Sequence, residues 1–265
     1  MIKINQQVVD LGNFPDGTML IKQEIPQTEQ VTITWQYESD RETLGIVYLA
    51  NHLKAHGKNN IHLYMPYIPN ARQDRVKCDE DVFTLKYFAG IINSLGFQTV
   101  TVLDPHSNVS EALIEHIVVE KPKGYIEKVI EMITELEGEK PSMFYPDEGA
   151  GKRYSGMIPL PYAFGIKKRD WATGQIQGLD VAGDVDNISG KNILIVDDIC
   201  SRGGTFYHSA KKLKELGAKN IYLYISHCEN SIFDGEVLTS GLITKVFTTD
   251  SILTRTHENI HVFAL

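Results

Sequence analysis

The sequence predicts an α/β protein of two similar domains, each a mostly parallel sheet flanked by helices, and three observations carry that expectation. Short β-branched and apolar runs alternate with longer stretches at helical spacing from Val31 to the end, the pattern of successive strand-helix-strand units. The alternation occurs twice, on either side of a proline-bounded helical stretch near residues 121–140. A chain of 265 residues suits two hydrophobic cores of ordinary size better than one.

Taken in order, Val31–Trp35, Ile61–Tyr67 and Thr99–Asp104 read as buried strands, while Arg41–His56 and Asp81–Leu95 carry apolar residues at helical spacing. Gly57 and Gly96 stand where those helices would end. Lys121–Lys140 reads as an amphipathic helix, with Ile126, Val129, Ile130, Ile133 and Leu136 on its apolar stripe and Gly138 and Pro141 closing it. The domain boundary is expected there, giving domains 1–140 and 141–265. In the second half, Ser142–Tyr145, Asn192–Asp198, Ile221–Ser226, Lys245–Thr249 and Ile260–Leu265 read as strands, and Gly204–Leu216 and Ser231–Thr239 as helices. Gly165–Gly190 mixes Gly, Asp, Gln and a basic cluster without periodicity and reads as mostly loop.

Composition narrows the function classes. A formal charge of −8 leaves no basic footprint for a phosphate backbone, so nucleic acid is not an expected partner and any phosphate must be captured locally. Three cysteines, an odd number without CxxC spacing, argue against a disulfide framework or a zinc site and fit a reducing, cytoplasmic setting. No stretch approaches a membrane span, and the start MIKINQQVVD lacks the charged and apolar regions of a signal peptide.

The segment ILIVDDICSRGGT, Ile193–Thr205, is an apolar strand, then two adjacent carboxylates, then a glycine turn opening a helix. In a parallel α/β sheet ligands collect outside the carboxyl ends of strands, so Asp197 and Asp198 would stand at the mouth of a crevice, able to grip ribose hydroxyls or a metal. The turn Ser201, Arg202, Gly203, Gly204, Thr205 would offer backbone N–H groups at the positive end of a helix dipole to a phosphate. The same residues would also serve a plain capped strand-to-helix turn.

This segment resembles the phosphoribosyl-binding motif of the type I phosphoribosyltransferase fold, in which two acids bind ribose hydroxyls and the following turn binds the 5-phosphate. In the first half, Tyr67–Arg75 (YIPNARQDR) and Asp104–Ser107 (DPHS) are similar to two motifs of ribose-phosphate pyrophosphokinases. Phe14–Gly17, Pro146–Arg153, Lys167–Arg169 and Gly217–Tyr222 continue the likeness in order, so it covers nearly the whole chain.

The resemblance implies an enzyme that transfers the β,γ-diphosphate of ATP, with Mg2+, to the 1-hydroxyl of ribose 5-phosphate. It implies Lys167 and Arg169 as a lid over the ATP phosphates, His106 and Asp147 as metal ligands, and Arg72 and Gln73 against the phosphates and adenine. Phe14 and Asp16 would reach the adenine of a neighbouring subunit. A solvated charge cluster, a surface ion pair beside Asp74 and a Pro-Asp-Gly turn are the plainer readings of these groups.

Three departures stand out. Where the family has Asp-Thr-x-Gly-Thr, this chain has Ser201–Thr205 with Arg202, a gain of about two charge units that suits a larger or more anionic 5-substituent such as ADP-ribose. Thr18 replaces a usual Glu, and Glu80 a usual Arg. Family members carry a further C-terminal helix before which Leu265 stops, and this with the altered loops makes a homodimer or a higher homo-oligomer the expectation, without reliance on the family's hexamer. Two other readings are a regulatory homologue without catalysis and an ordinary phosphoribosyltransferase, which would have no use for Arg72, Gln73 or His106.

Overall fold

The computed structural model describes residues 1–169 and 176–265, with side chains throughout except at 167–169 and 176–179. Its contacts divide the chain into two units, Met1–Lys121 and Pro122–Leu265.

In the first unit the chain forms β1 (Ile2–Ile4), β2 (Gln7–Val8), β3 (Leu11–Asn13), β4 (Met19–Ile21), β5 (Gln30–Trp35), α1 (Arg41–Ala55), β6 (Asn60–Tyr64), α2 (Thr84–Ser94), β7 (Thr99–Leu103), α3 (Asn108–Leu113) and β8 (Ile117–Glu120). Strands β5 to β8 pair in parallel and in chain order, while β1 and β2 extend the sheet antiparallel and β3 and β4 make a separate hairpin. Alternation along β5 buries Val31, Ile33 and Trp35 and leaves Thr32 and Thr34 half-exposed, as a strand with one covered face demands. One core results, in which Ile46, Leu49, Ala50 and Leu53 of α1 and Leu85, Phe88, Ala89 and Ile92 of α2 pack on that face. Gly57 and Gly96 end those helices at φ of 78° and 54°, the left-handed region that glycine enters at little cost. Glu42 is buried, and its Oε2 accepts from Trp35 Nε1 at 3.0 Å and from the Glu38 amide at 2.8 Å, the partners a buried carboxylate requires.

The second unit contains α4 (Lys123–Glu137), β9 (Ser142–Tyr145), α5 (Glu148–Tyr154), β10 (Tyr162–Arg169), β11 (Ile176–Gly183), β12 (Ile193–Cys200), α6 (Gly204–Glu215), β13 (Ile221–Cys228), β14 (Lys245–Thr249) and β15 (Ile260–Phe263). The sheet order is β11-β10-β9-β12-β13-β14-β15, parallel except for the β10–β11 hairpin. Here both faces are covered, so β13 is buried at every residue. Phe206, Ala210 and Leu213 of α6 cover the face formed by Ile193, Ile195, Leu223 and Ile225. Ile126, Val129, Ile130 and Ile133 of α4 share the other core with Leu194, Val196, Tyr222 and Tyr224.

The chain leaves β9 toward β10 on one side, then returns to β12 on the other and proceeds outward to β13. That reversal falls between β9 and β12, and the carboxyl ends of strands at such a reversal are where parallel sheets take ligands.

Several expectations change. The Gly165–Gly190 stretch, expected as mostly loop, holds the end of β10, all of β11 and a 3-10 turn at Val185–Asn187, with residues 170–175 outside the described residues. Ser231–Thr239 is not an α-helix; a 3-10 turn covers Asn230–Asp234, and Gly235 then comes so close to the carbonyl of Arg202 that a helix with side chains could not continue there. Helix α4 counts with the second unit, not with a domain ending at 140, because its apolar stripe packs against β9, β12 and β13.

Candidate active site

In the second unit, β12 carries Asp197 and Asp198 to its carboxyl end, and the Asp198 amide donates to Asp197 Oδ1 at 3.0 Å. Asp198 is 5% exposed and Asp197 half-buried. Burial pushes the Asp197 carboxyl well above the usual range, and the adjacent charge of Asp198 adds to it. Asp198 is balanced by Arg153, whose Nη1 lies 3.6 Å from its Oδ2. Asp147 follows β9 and caps α5, its Oδ1 accepting from the Ala150 amide at 3.1 Å.

The turn after β12 is shaped for close approach. Gly203 stands at the N-cap of α6 with φ of 77° and no side-chain cap, so the first N–H groups of the helix lack the partner that Asp147 supplies to α5. A Cβ on Gly203 would come 2.2 Å from Val237 Cγ2, and one on Gly235 1.8 Å from the Arg202 carbonyl oxygen. The loop therefore rests on Gly235–Val237, and only glycines permit that spacing. Arg202 and Gly204 are exposed and Ser201 and Thr205 half-buried. Together these groups can do two things: the acids accept hydrogen bonds from hydroxyls, and the turn donates to an anion.

Lys167 and Arg169 lie on β10, where the backbone pairs Lys167 with Leu179 and Arg169 with Ile176; their side chains are outside the described residues.

In the first unit, the structure brings two of the motifs together. Asp74 is buried, and its carboxyl is held below the usual range by Arg75, whose Nε donates at 2.8 Å, with Ser107 and His106 adding to the effect. The loop after β6 thus meets the loop after β7, where Asp104 is buried and takes φ of 40°, a conformation that costs energy outside glycine. His106 is half-buried. Arg72 and Gln73 are exposed, and Gln73 is anchored at the start of α2, its Oε1 accepting from Thr84 Oγ1 at 2.9 Å. Phe14 and Asp16 occupy the turn of the β3–β4 hairpin; Phe14 is 49% exposed. Thr18 donates to Asp16 through its hydroxyl at 2.7 Å and its amide at 3.0 Å, and these bonds lower the Asp16 carboxyl.

Sequence reasoning missed two features. Arg153 gave no local signal of its partnership with Asp198, because the two belong to different strand-helix units. Cys200 and Cys228 are direct register partners on β12 and β13, both buried, and the neighbouring Cys228 thiol together with burial pushes the Cys200 thiol up. Among the described residues, no three His, Cys, Asp or Glu side chains gather closely enough to hold a metal by themselves, and no helix is long and apolar enough to cross a membrane.

No protein-family model matches the chain. Its sequence is similar to proteins named ribose-phosphate pyrophosphokinase. The one from Pyrococcus abyssi is 30% identical over 226 residues, spanning 83% of this chain and 75% of that protein. The one from Saccharolobus solfataricus is 27% identical over 230 residues, with the same coverage. Its structure superposes on the phosphoribosylpyrophosphate synthetase of Mycobacterium smegmatis with a TM-score of 0.77, at 18% identity, covering 97% of this chain and 86% of that one. The superposition establishes the type I phosphoribosyltransferase-like architecture, and the sequence matches establish the kinship: the chain belongs to the ribose-phosphate pyrophosphokinase family of enzymes.

Proposed function

We propose that this enzyme transfers the β,γ-diphosphoryl group of Mg-ATP to the 1-hydroxyl of ribose 5-phosphate, yielding phosphoribosyl pyrophosphate and AMP. The 1-oxygen attacks the β-phosphorus, the bond to the bridging oxygen of the α-phosphate breaks, and the hydroxyl proton is released. The names of its relatives support the reaction. The single observation that carries the reading is the end of β12: two acids at a topological switch point, followed by an uncapped glycine turn. Asp197 and Asp198 would accept from the ribose hydroxyls while the N–H groups of Ser201–Thr205 hold the 5-phosphate.

Phosphoryl transfer is accelerated chiefly by positioning and by cations around the developing charge. Lys167 and Arg169 are assigned that role over the ATP phosphates. Arg72 is assigned to the phosphates and Gln73 to the adenine, with Phe14 and Asp16 meeting the adenine of a neighbouring subunit in a homo-oligomer. Mg2+ would arrive on the nucleotide and neutralise phosphate charge. The carboxylate of Asp147 and the imidazole of His106 are each suited to such an ion, and since no three such side chains gather among the described residues, phosphate and water oxygens would make up most of its shell. The product would feed nucleotide or NAD synthesis in the cytoplasm.

A second acceptor is favoured by one observation: Arg202 is exposed on the phosphate turn, where it can pair with a second phosphate, as in ADP-ribose. The test is to incubate the protein with Mg-ATP and either sugar and follow AMP. Faster release with ribose 5-phosphate supports the first acceptor and faster release with ADP-ribose the second. No AMP with either sugar overturns the proposal in favour of a regulatory homologue.

A further inference from the structure

At the end of β12 the charges of Asp198 and Asp147 both act on the Asp197 carboxyl. Helix α5, only seven residues long, contributes to both signs of this cluster. Asp147 caps its start, and Arg153 in its last turn reaches Asp198, Nη1 to Oδ2 at 3.6 Å. The side chains of this pair are 25% and 8% exposed, so the ion pair is shielded far more than a surface one. The guanidinium also lies over the Tyr154 ring, 5.7 Å from its centre, and Tyr154 is fully buried against Tyr145. The aromatic platform and the carboxylate therefore constrain the planar group together.

We propose that Arg153 is a positioning residue for the sugar: its guanidinium fixes the Asp198 carboxylate in the orientation that accepts from the ribose hydroxyls. The inference rests on the assignment of Asp197 and Asp198 to the ribose. A buried carboxylate beside a second acid is costly when unbalanced, and without Arg153 it would turn toward water or toward another donor, out of its binding orientation. The planar guanidinium presents Nη1 to the carboxylate while its face meets a ring, which the point charge of an ammonium does not reproduce.

The test is steady-state kinetics on Arg153→Met, Arg153→Ala and Arg153→Lys, varying sugar phosphate and ATP separately. KM for the sugar is expected to rise about ten- to hundredfold, a scale between an exposed ion pair and a fully buried one, with KM for ATP within about twofold. Guanidinium ion at a non-denaturing concentration should restore the sugar KM of Arg153→Ala, a result that a purely structural role would not give. In an Asp198→Asn background, Arg153→Met should add less than about twofold. Equal rises in both KM values, or additive effects in the double variant, would overturn the inference. If the Met and Ala variants do not fold, Arg153→Lys retains a cation, and an unchanged sugar KM for it overturns the inference too. A wild-type protein that releases no AMP with either sugar sinks the functional reading, whereas an active wild type with unaltered Arg153 variants sinks only this proposal.

Discussion

At the carboxyl ends of β6 and β7 the candidate side chains sit on loops, with Arg72 and Gln73 exposed and His106 half-buried. At the end of β12, by contrast, Asp198 is 5% exposed, paired with Arg153, and followed by a turn wedged against Gly235 and Val237. The topologies explain the difference. In the first unit β5 to β8 follow one another without reversal, and α1 and α2 pack in one core with them. In the second, the chain reverses between β9 and β12, and both faces are covered. A small rigid anion suits the preorganised end; a large flexible nucleotide suits groups that take their final positions when it binds.

The comparison predicts different kinetic signatures. With the transition-state role proposed for its charge, Lys167→Ala is expected to slow kcat by about 100- to 1,000-fold while KM for ATP moves less than about threefold. Arg72→Ala should do the reverse, raising KM for ATP with kcat largely kept. Equal losses of kcat in both variants would remove the distinction between a catalytic edge and a binding loop.

Stability should follow the same division. Gly203→Ala combines a left-handed backbone with a clash against Val237 and should cost about 2–4 kcal/mol in urea unfolding. Gly17→Ala in the β3–β4 turn meets open space at φ of 85° and should cost about 1 kcal/mol. Equal costs would mean that the turn after β12 is not wedged.

An effect below that of Gly203→Ala is expected where α4 joins β13. Glu137 accepts from the Tyr222 hydroxyl, from Asn220 Nδ2 at 2.9 Å and from Lys219 Nζ at 3.0 Å, and these bonds, Tyr222 first, hold its carboxyl below the ordinary value. Glu137→Ala should cost about 1–3 kcal/mol at neutral pH. A depressed folded value means that this contribution is complete above the unfolded value of 4.5 and is lost as pH falls through the lower folded one, so the gap between wild type and variant should close in acid. A gap independent of pH would contradict the ionic role. The smallest change is expected for Asp16→Asn, whose unfolding midpoint in urea should match wild type, since the carboxylate sits in an exposed turn; any effect should appear instead in KM for ATP.

The legible parts of the sequence were those whose signals are contiguous. β9 and β14 fall on their expected bounds because apolar runs between turn residues mark them, and Ile193–Thr205 could be read because strand, acids and glycine turn follow one another without interruption. β10 and β11 escaped notice because glycines and charges interrupt both strands of the hairpin. Strands β1 to β4 have two or three residues each, too few for a period to show. The stripe on α4 was visible, but a stripe does not say which sheet it covers. Arg153 with Asp198, and Cys200 with Cys228, are pairings made by strand register and helix placement, so neither residue announces its partner.

Phosphorus-31 NMR of the protein with Mg-ATP and ribose 5-phosphate tests the central claim most directly. The account predicts AMP and a sugar 1-diphosphate appearing in equal amounts, as a β,γ-diphosphoryl transfer requires. ADP with a sugar monophosphate ester, or ATP left intact with both ribose 5-phosphate and ADP-ribose, would contradict it.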